Sequence, residues 1–390
     1  MVGKWLPNLS FVILCSATAF SLLSDGSQPK KTGSEKELVL VRTTRKGIAV
    51  YYTIALQDID DFVNANADNL KRSIDLALNS KLKLPQERYI NTMVSATSDG
   101  ASVNTGVYSG LLTQMKRERS WLVTVHCVSH RMELALKDSL LKYKEFCDVK
   151  DFMVSIFNTM KRSGKLAREF KSIAKTIHVN IYTFPKVHGT RFLNHQRKGA
   201  DVLLNNWVPF AQCIEHAISD KGYRAIKPKL KGYLVKLKNF SFFSSVCLYR
   251  DLLELVTPLS LTFERGNIMA FEVDYNVKKM INELHDMVAD ESEPYLNVSE
   301  RSTYSFEIDN DDNVLKCTLP KPNHMRRKPE NREYTQLYLT EMIRMSNNTH
   351  TAVQRLKEKV IPDIRQCLKS RLKSFDDEFY SKMYCIDPAN

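Results

Sequence analysis

Two apolar runs constrain this chain more than anything else in it, because each stops abruptly on residues that carry chemistry. Met93 to Thr97 ends at Ser98-Asp99-Gly100. Trp121 to Val125 ends at His126-Cys127 and passes into a stretch with Met132, Leu134, Ala135 and Leu136. Short apolar runs of this kind read as buried strands, and the helical spacing after the second reads as a helix packed on the sheet. In open α/β sheets, sites gather at the carboxyl ends of the strands. Asp99 and the His126/Cys127/His130 group therefore fall to neighbouring strand ends, with Gly100 relaxing the backbone behind the acid.

Upstream, Ala19 to Ser24 reads as a first buried strand that ends at Asp25-Gly26-Ser27. Glu37 to Thr44 alternates like a second, Arg45-Lys46-Gly47 is a tight turn, and Ile48 to Leu56 returns as a third. An amphipathic helix follows from about Asn69 to Leu82, with Leu70, Ile74, Leu76 and Ala77 inward. The amino end admits a second reading. Lys4, the apolar stretch Leu9 to Leu23 and Ala17-Thr18-Ala19 have the layout of a secretory signal and its cleavage site. The strand reading is preferred, because cleavage after Ala19 would cut at the start of a strand that ends in an acid. The Asn-X-Ser/Thr triplets at Asn8, Asn239, Asn297 and Asn347 do not separate the two.

The segments S-D-G-A-S-V-N (Ser98 to Asn104) and H-C-V-S-H-R-M-E-L-A-L (His126 to Leu136) together resemble the core of hAT-type DNA transposases. They look closest to the versions found in vertebrate zinc-finger-like host proteins. The resemblance implies an α/β fold: an RNase H-like mixed sheet with flanking helices, interrupted by a mainly α-helical insertion domain. It also implies an Asp, Asp, Glu triad holding Mg2+ or Mn2+, in which Asp25 matches the first acid and Asp99 the second. Hard cations of this kind take oxygen ligands and activate the attacking and leaving oxygens of a phosphodiester. Cys127-x-x-His130 matches the family's C-x-x-H, which places His130 beside the DNA-facing pocket. His188 to Arg197 resembles its T-R-W segment, with Arg191 in place and Phe192 where Trp is expected. Phe192 keeps a π-face for stacking on a base, of smaller area.

Plainer roles stand beside these. An Asp before Gly commonly caps a turn or helix, His130 is also a fit helix-start residue, and Phe192 a fit core residue. A zinc site at His126, Cys127 and His130 lacks the second close Cys/His pair that a tetrahedral set needs. The family's third acid is not identifiable. Ser299-Glu300-Arg301 mimics its local sequence, but polar, acidic surroundings replace the apolar helix that should carry it. The resemblance therefore implies a catalytically inactive relic, with Asp25 and Asp99 vestigial.

The chain has 390 residues and a formal charge of +13, which suits a polyanionic partner. A helix from Val149 to Lys175 has a basic outer face of Lys161, Arg162, Lys165, Arg168, Lys171 and Lys175. From Lys221 to Lys238 there are seven basic residues and no acid, interleaved with Tyr223 and Tyr233. Lys229, Lys231, Lys236 and Lys238 are the DNA contacts expected there. Eight scattered cysteines without C-x-x-C spacing favour reduced thiols.

The expected organisation is an N-terminal segment 1–18, a truncated RNase H-like domain 19–200, a helical insertion domain 201–289, an irregular linker 290–332 and a C-terminal helical segment 333–390. The expected function is nucleic-acid binding, or interaction with protein partners through the helical domain. The setting is nuclear or cytoplasmic, with no membrane. An active metal-dependent transposase or nuclease is the alternative, and a secreted basic protein a third reading.

Overall fold

The structure, a computed structural model, describes residues 17–27, 35–62, 64–176, 180–187, 191–264, 270–289, 305–308, 314–318, 336–338 and 347–373. The chain divides into two compact units, Met1–Arg131 with Arg265–Asn267, and Met132–Glu264 with Ile268–Asn390.

The first unit is an α/β layer built on a five-stranded mixed sheet. Its strands are β1 (Phe20–Ser27), β2 (Lys36–Arg45), β3 (Ile48–Asp58), β4 (Met93–Ser98) and β5 (Val123–His126), in the order β3-β2-β1-β4-β5. The first three strands pair antiparallel, and β4 and β5 run parallel to β1. The β2–β3 hairpin turns on Lys46 (φ 50°) and Gly47 (φ 76°), the two positive φ values of a tight turn whose twist suits paired strands. Alternate residues of β2 face inward, and Val39 and Val41 are fully buried.

Helices α1 (Ala67–Leu76, extended by a wide turn through Lys81) and α2 (Gln86–Thr92) supply Leu70, Ile74, Leu78 and Tyr89 to the same core. Two short helices follow, α3 (Ser102–Thr105) and α4 (Leu111–Glu118). β1 lies in the middle of the sheet, where burying Phe20 and Leu22 contributes roughly 1.5–3 kcal/mol each. The Thr43 hydroxyl donates to the Ala19 carbonyl at 2.9 Å and Arg88 donates to the Ala17 carbonyl at 2.9 Å. The chain from Ala17 onward is thus tied into the sheet, whereas the apolar residues before it lie outside the described residues.

Helix α5 (Val128–Leu140) starts in the first unit and runs into the second. The second unit continues with α6 (Lys144–Arg162), α7 (Gly164–Thr176), α8 (Phe192–Asn205), α9 (Trp207–Ser219), α10 (Lys227–Leu237), α11 (Phe240–Phe263), α12 (Ala270–Ala289) and α13 (Asn347–Leu372). Helix α11 is its hub and packs against α6, α8, α10, α12 and α13. Its Phe243, Val246, Leu248, Leu252 and Leu253 are fully buried. Residues 132–200, expected with the sheet, group with this helical unit because α6 and α8 lie on α11.

The single helix expected from Val149 to Lys175 is two, broken where the Ser163 hydroxyl accepts from the Leu166 amide at 3.2 Å ahead of Gly164. That serine caps the second helix, as Ser before a helical run commonly does. Within the expected linker and just after it, three short strands pair antiparallel: β6 (Ser305–Ile308), β7 (Val314–Thr318) and β8 (Gln336–Tyr338). Ser299 to Ser302 fall outside the described residues. Among the described residues no helix is long and apolar enough to cross a membrane.

Candidate functional site

The parallel pairing of β1 and β4 sets the geometry. Leu23 lies opposite Thr97, and Asp25 and Asp99 each come two residues later. Both acids therefore leave the same edge of the sheet from adjacent strands. Burial raises the Asp25 carboxyl above its ordinary range, the negative charge of Asp99 raises it further, and His130 opposes the shift. Two like charges brought together in a partly desolvated place have this effect. Asp25, Asp99 and His130 thus share one electrostatic neighbourhood.

Asp99 also has the local role expected of an Asp before Gly. Its Oδ1 accepts from the Ala101 amide at 3.0 Å and from Asn104 Nδ2 at 2.7 Å, closing the loop into α3. Gly100 does not adopt a positive φ, so backbone freedom is not why a glycine stands there. A Cβ at Gly100 would fall 2.4 Å from the His126 ring, and the close approach of that ring is what requires glycine. His126 and His130 lie 5.9 Å apart, ring centre to ring centre, tilted by 42°. The Cys127 amide donates to the Ser98 carbonyl at 2.9 Å and prolongs the β4–β5 ladder.

Glu37 was not anticipated. It pairs with Gly26 across the β1–β2 ladder and is 2% exposed. Its Oε1 accepts no hydrogen bond among the described residues. Burial pushes its carboxyl up to about 7, against the opposing effect of the Ser24 hydroxyl and with the charges of Asp25, Asp99 and Glu35 adding to the rise. The signal was present in the sequence: Glu37 shares the inward phase of Val39 and Val41, where an acid is out of place.

A magnesium ion keeps several waters and takes one or two protein carboxylates, so Asp25 and Asp99 fit part of a metal site. Among the described residues, no group of three or more His, Cys, Asp or Glu is arranged to hold a metal ion. The two aspartates alone would supply a partial ligand set.

In the second unit, Arg191 is exposed and faces Glu264 at 3.3 Å. Phe192 opens α8 and is 9% exposed, so its ring is a core element and not a free stacking platform. His188, Gly189 and Thr190 lie outside the described residues. The first turn of α8 is held by Glu133, a second residue that went unanticipated. Its carboxylate accepts from the Leu193 amide at 2.9 Å and from the Ser260 hydroxyl at 3.3 Å, and burial raises its pKa. An acid at the amino end of a helix satisfies amides that otherwise have no partner.

The lysines of α10 and the Lys238 that follows it separate into two kinds. Lys229 and Lys231 are exposed. Lys236 faces Asp148 at 3.5 Å and lies over the Phe242 ring at 5.2 Å, while Lys238 pairs with Glu215 at 2.5 Å. Tyr223, ahead of α10, and Tyr233, within it, are buried. No protein-family model matches the chain.

Proposed function

We propose that the chain is a transposase-derived protein, built on an RNase H-like sheet with a helical insertion, that binds nucleic acid without cutting it. The observation that carries this reading is the strand order β3-β2-β1-β4-β5, three antiparallel strands followed by two parallel ones, with Asp25 near the end of β1 and Asp99 just past β4. Asp25 and Asp99 would hold Mg2+ or Mn2+, which when bound neutralises charge on a phosphate. An incomplete ligand set positions the attacking and leaving oxygens poorly, and loss of positioning removes most of the rate. DNA is the partner in a nuclear or cytoplasmic setting, with protein partners met through the helical unit. The test is a gel-shift and plasmid-nicking series with purified protein. Salt-sensitive DNA binding without nicking in magnesium or manganese is the expected result, and metal-dependent nicking lost in Asp25→Ala or Asp99→Ala would overturn it.

A metal-dependent nuclease is the second reading, and Glu37 is the observation in its favour: a third carboxyl within electrostatic reach of both aspartates. Nicking that is lost in Glu37→Gln as well would establish it.

A further inference from the structure

Two short segments carry almost all of the chain's charge. Residues 161–176 and 221–238 together hold thirteen basic residues and one acid, a net +12 in a chain of net +13. They meet in the fold: α7 and α10 both pack on α9. Lys165 of α7 forms an ion pair with Asp220 and lies 4.4 Å from the centre of the Tyr223 ring, at the turn leading into α10.

The acids in this corner are already engaged. Glu169 accepts from the Tyr223 hydroxyl at 2.6 Å and is paired with His216. Asp220 is held by Lys165 and by the Gly222 amide, and Glu215 by Lys238. Arg162, Arg168, Lys171, Lys175, Lys221, Arg224, Lys229 and Lys231 are left exposed.

We infer that the α7–α10 corner is a binding surface for the phosphate backbone of duplex nucleic acid, centred on Arg168, Lys171, Lys175, Lys229 and Lys231. This rests on the nucleic-acid-binding reading above and specifies where that binding takes place. Arg168, Lys171 and Lys175 stand at successive helical turns of α7, so their charges form a row along one helix face. The contact is to phosphates and not to bases, because Tyr223 and Tyr233, the aromatic residues among these lysines, are 3% and 5% exposed. They support lysine side chains from below, as Lys229 over the Tyr233 ring at 5.7 Å does, and offer no face for a base. Binding is therefore insensitive to sequence and steep in salt. Lys236 and Lys238, tied to Asp148 and Glu215, belong to the packing of the unit and not to this surface.

The experiment measures, by fluorescence anisotropy over a salt series, full-length protein against a labelled duplex of scrambled sequence, a poly-dT strand of equal length and phosphatidylserine-containing vesicles. The variants are Arg168→Ala/Lys171→Ala/Lys175→Ala, Lys229→Ala/Lys231→Ala and the control Lys236→Ala/Lys238→Ala, each checked by circular dichroism. The inference expects duplex binding with a log–log salt slope that shallows by about 0.9 per contact removed, so about 2.7 for the triple variant, and little change for the control. Duplex binding left intact in both the triple and the Lys229/Lys231 variants would overturn the location and leave the functional reading standing. Tighter binding to poly-dT than to duplex would overturn the phosphate-only contact. Absence of duplex binding in the unsubstituted protein, with or without vesicle binding, would overturn both the surface and the reading it rests on.

Discussion

Glu37 stands directly across the β1–β2 ladder from Gly26, and a Cβ placed at Gly26 would lie 3.1 Å from Glu37 Oε2. A residue with no side chain thus makes room for a buried acid immediately beside Asp25. The arrangement costs stability, because a carboxylate in that place is desolvated and faces three other negative charges, Asp25, Asp99 and Glu35.

The cost has a definite pH signature. The Glu37 carboxyl titrates at about 7 in the fold, against an ordinary value of 4.5. Between those values the folded protein keeps a proton that the unfolded chain has lost, so stability falls as pH rises from about 4.5 to about 7 and this contribution is level above that. In metal-free protein, with chelator present, Glu37→Gln removes the fall and gains on the order of 1–3 kcal/mol at neutral pH. Urea unfolding at a series of pH values measures it. Parallel pH profiles for the two proteins would dismiss Glu37 as the source.

Gly100→Ala inserts a methyl 2.4 Å from the His126 ring. The ring must turn or the loop behind Asp99 must shift, at about 1–3 kcal/mol for overpacking of this kind. Thermal unfolding gives the loss, and the imidazole NMR signals of His126 and His130 report the displacement. An unchanged melting temperature together with unchanged His126 resonances would show that the contact is slack.

Glu133→Ala leaves the amide of Leu193 unpaired where α8 begins. The expected loss is about 1–3 kcal/mol, the usual cost of a buried donor deprived of its partner. Glu133→Gln keeps an oxygen acceptor there and should recover much of the loss. A Gln variant no more stable than the Ala variant would argue that Glu133 matters for its volume and not for its hydrogen bond.

The sheet was legible because its strands carry apolar or alternating runs and two of their ends are marked by Lys46-Gly47 and Asp99-Gly100, although β1 runs on through Asp25-Gly26 to Ser27. Each of those signals is local. What escaped depends on partners distant in sequence. Phe192 fits both a core role and a stacking role in the sequence, and only α8 shows that it lies in the core. Glu133 reads as one more polar position on α5, because the Leu193 amide it holds is sixty residues away. The uninterrupted lysine pattern from Lys221 to Lys238 gave no sign that Lys236 and Lys238 are paired with Asp148 and Glu215, acids on other helices. Charge sign is a property of the sequence, whereas the freedom of a charge to meet a ligand is a property of the fold.

The two aspartates can be separated by what each loses on substitution. Asp99 closes the loop into α3 through Ala101 and Asn104, so Asp99→Ala should cost about 0.5–2 kcal/mol in metal-free protein, the range for a lost cap, while Asp99→Asn keeps an acceptor oxygen and costs less. Asp25 is partly desolvated and sits against the charge of Asp99, so Asp25→Asn relieves both costs and leaves stability unchanged or slightly higher. On the proposed reading metal would reverse the ranking. A cation held between the two carboxylates would raise the melting temperature of the unsubstituted protein with increasing magnesium or manganese, because it would bind the folded state alone. Each of the three substitutions should diminish that rise, since each removes a charged ligand. On the proposed reading, DNA affinity would rest on lysines and arginines of the helical unit and should stay the same in all of them. A metal-dependent rise that persists undiminished in Asp25→Asn would mean that the ion binds elsewhere, and that the pairing of Asp25 with Asp99 is a feature of strand register without a ligand role.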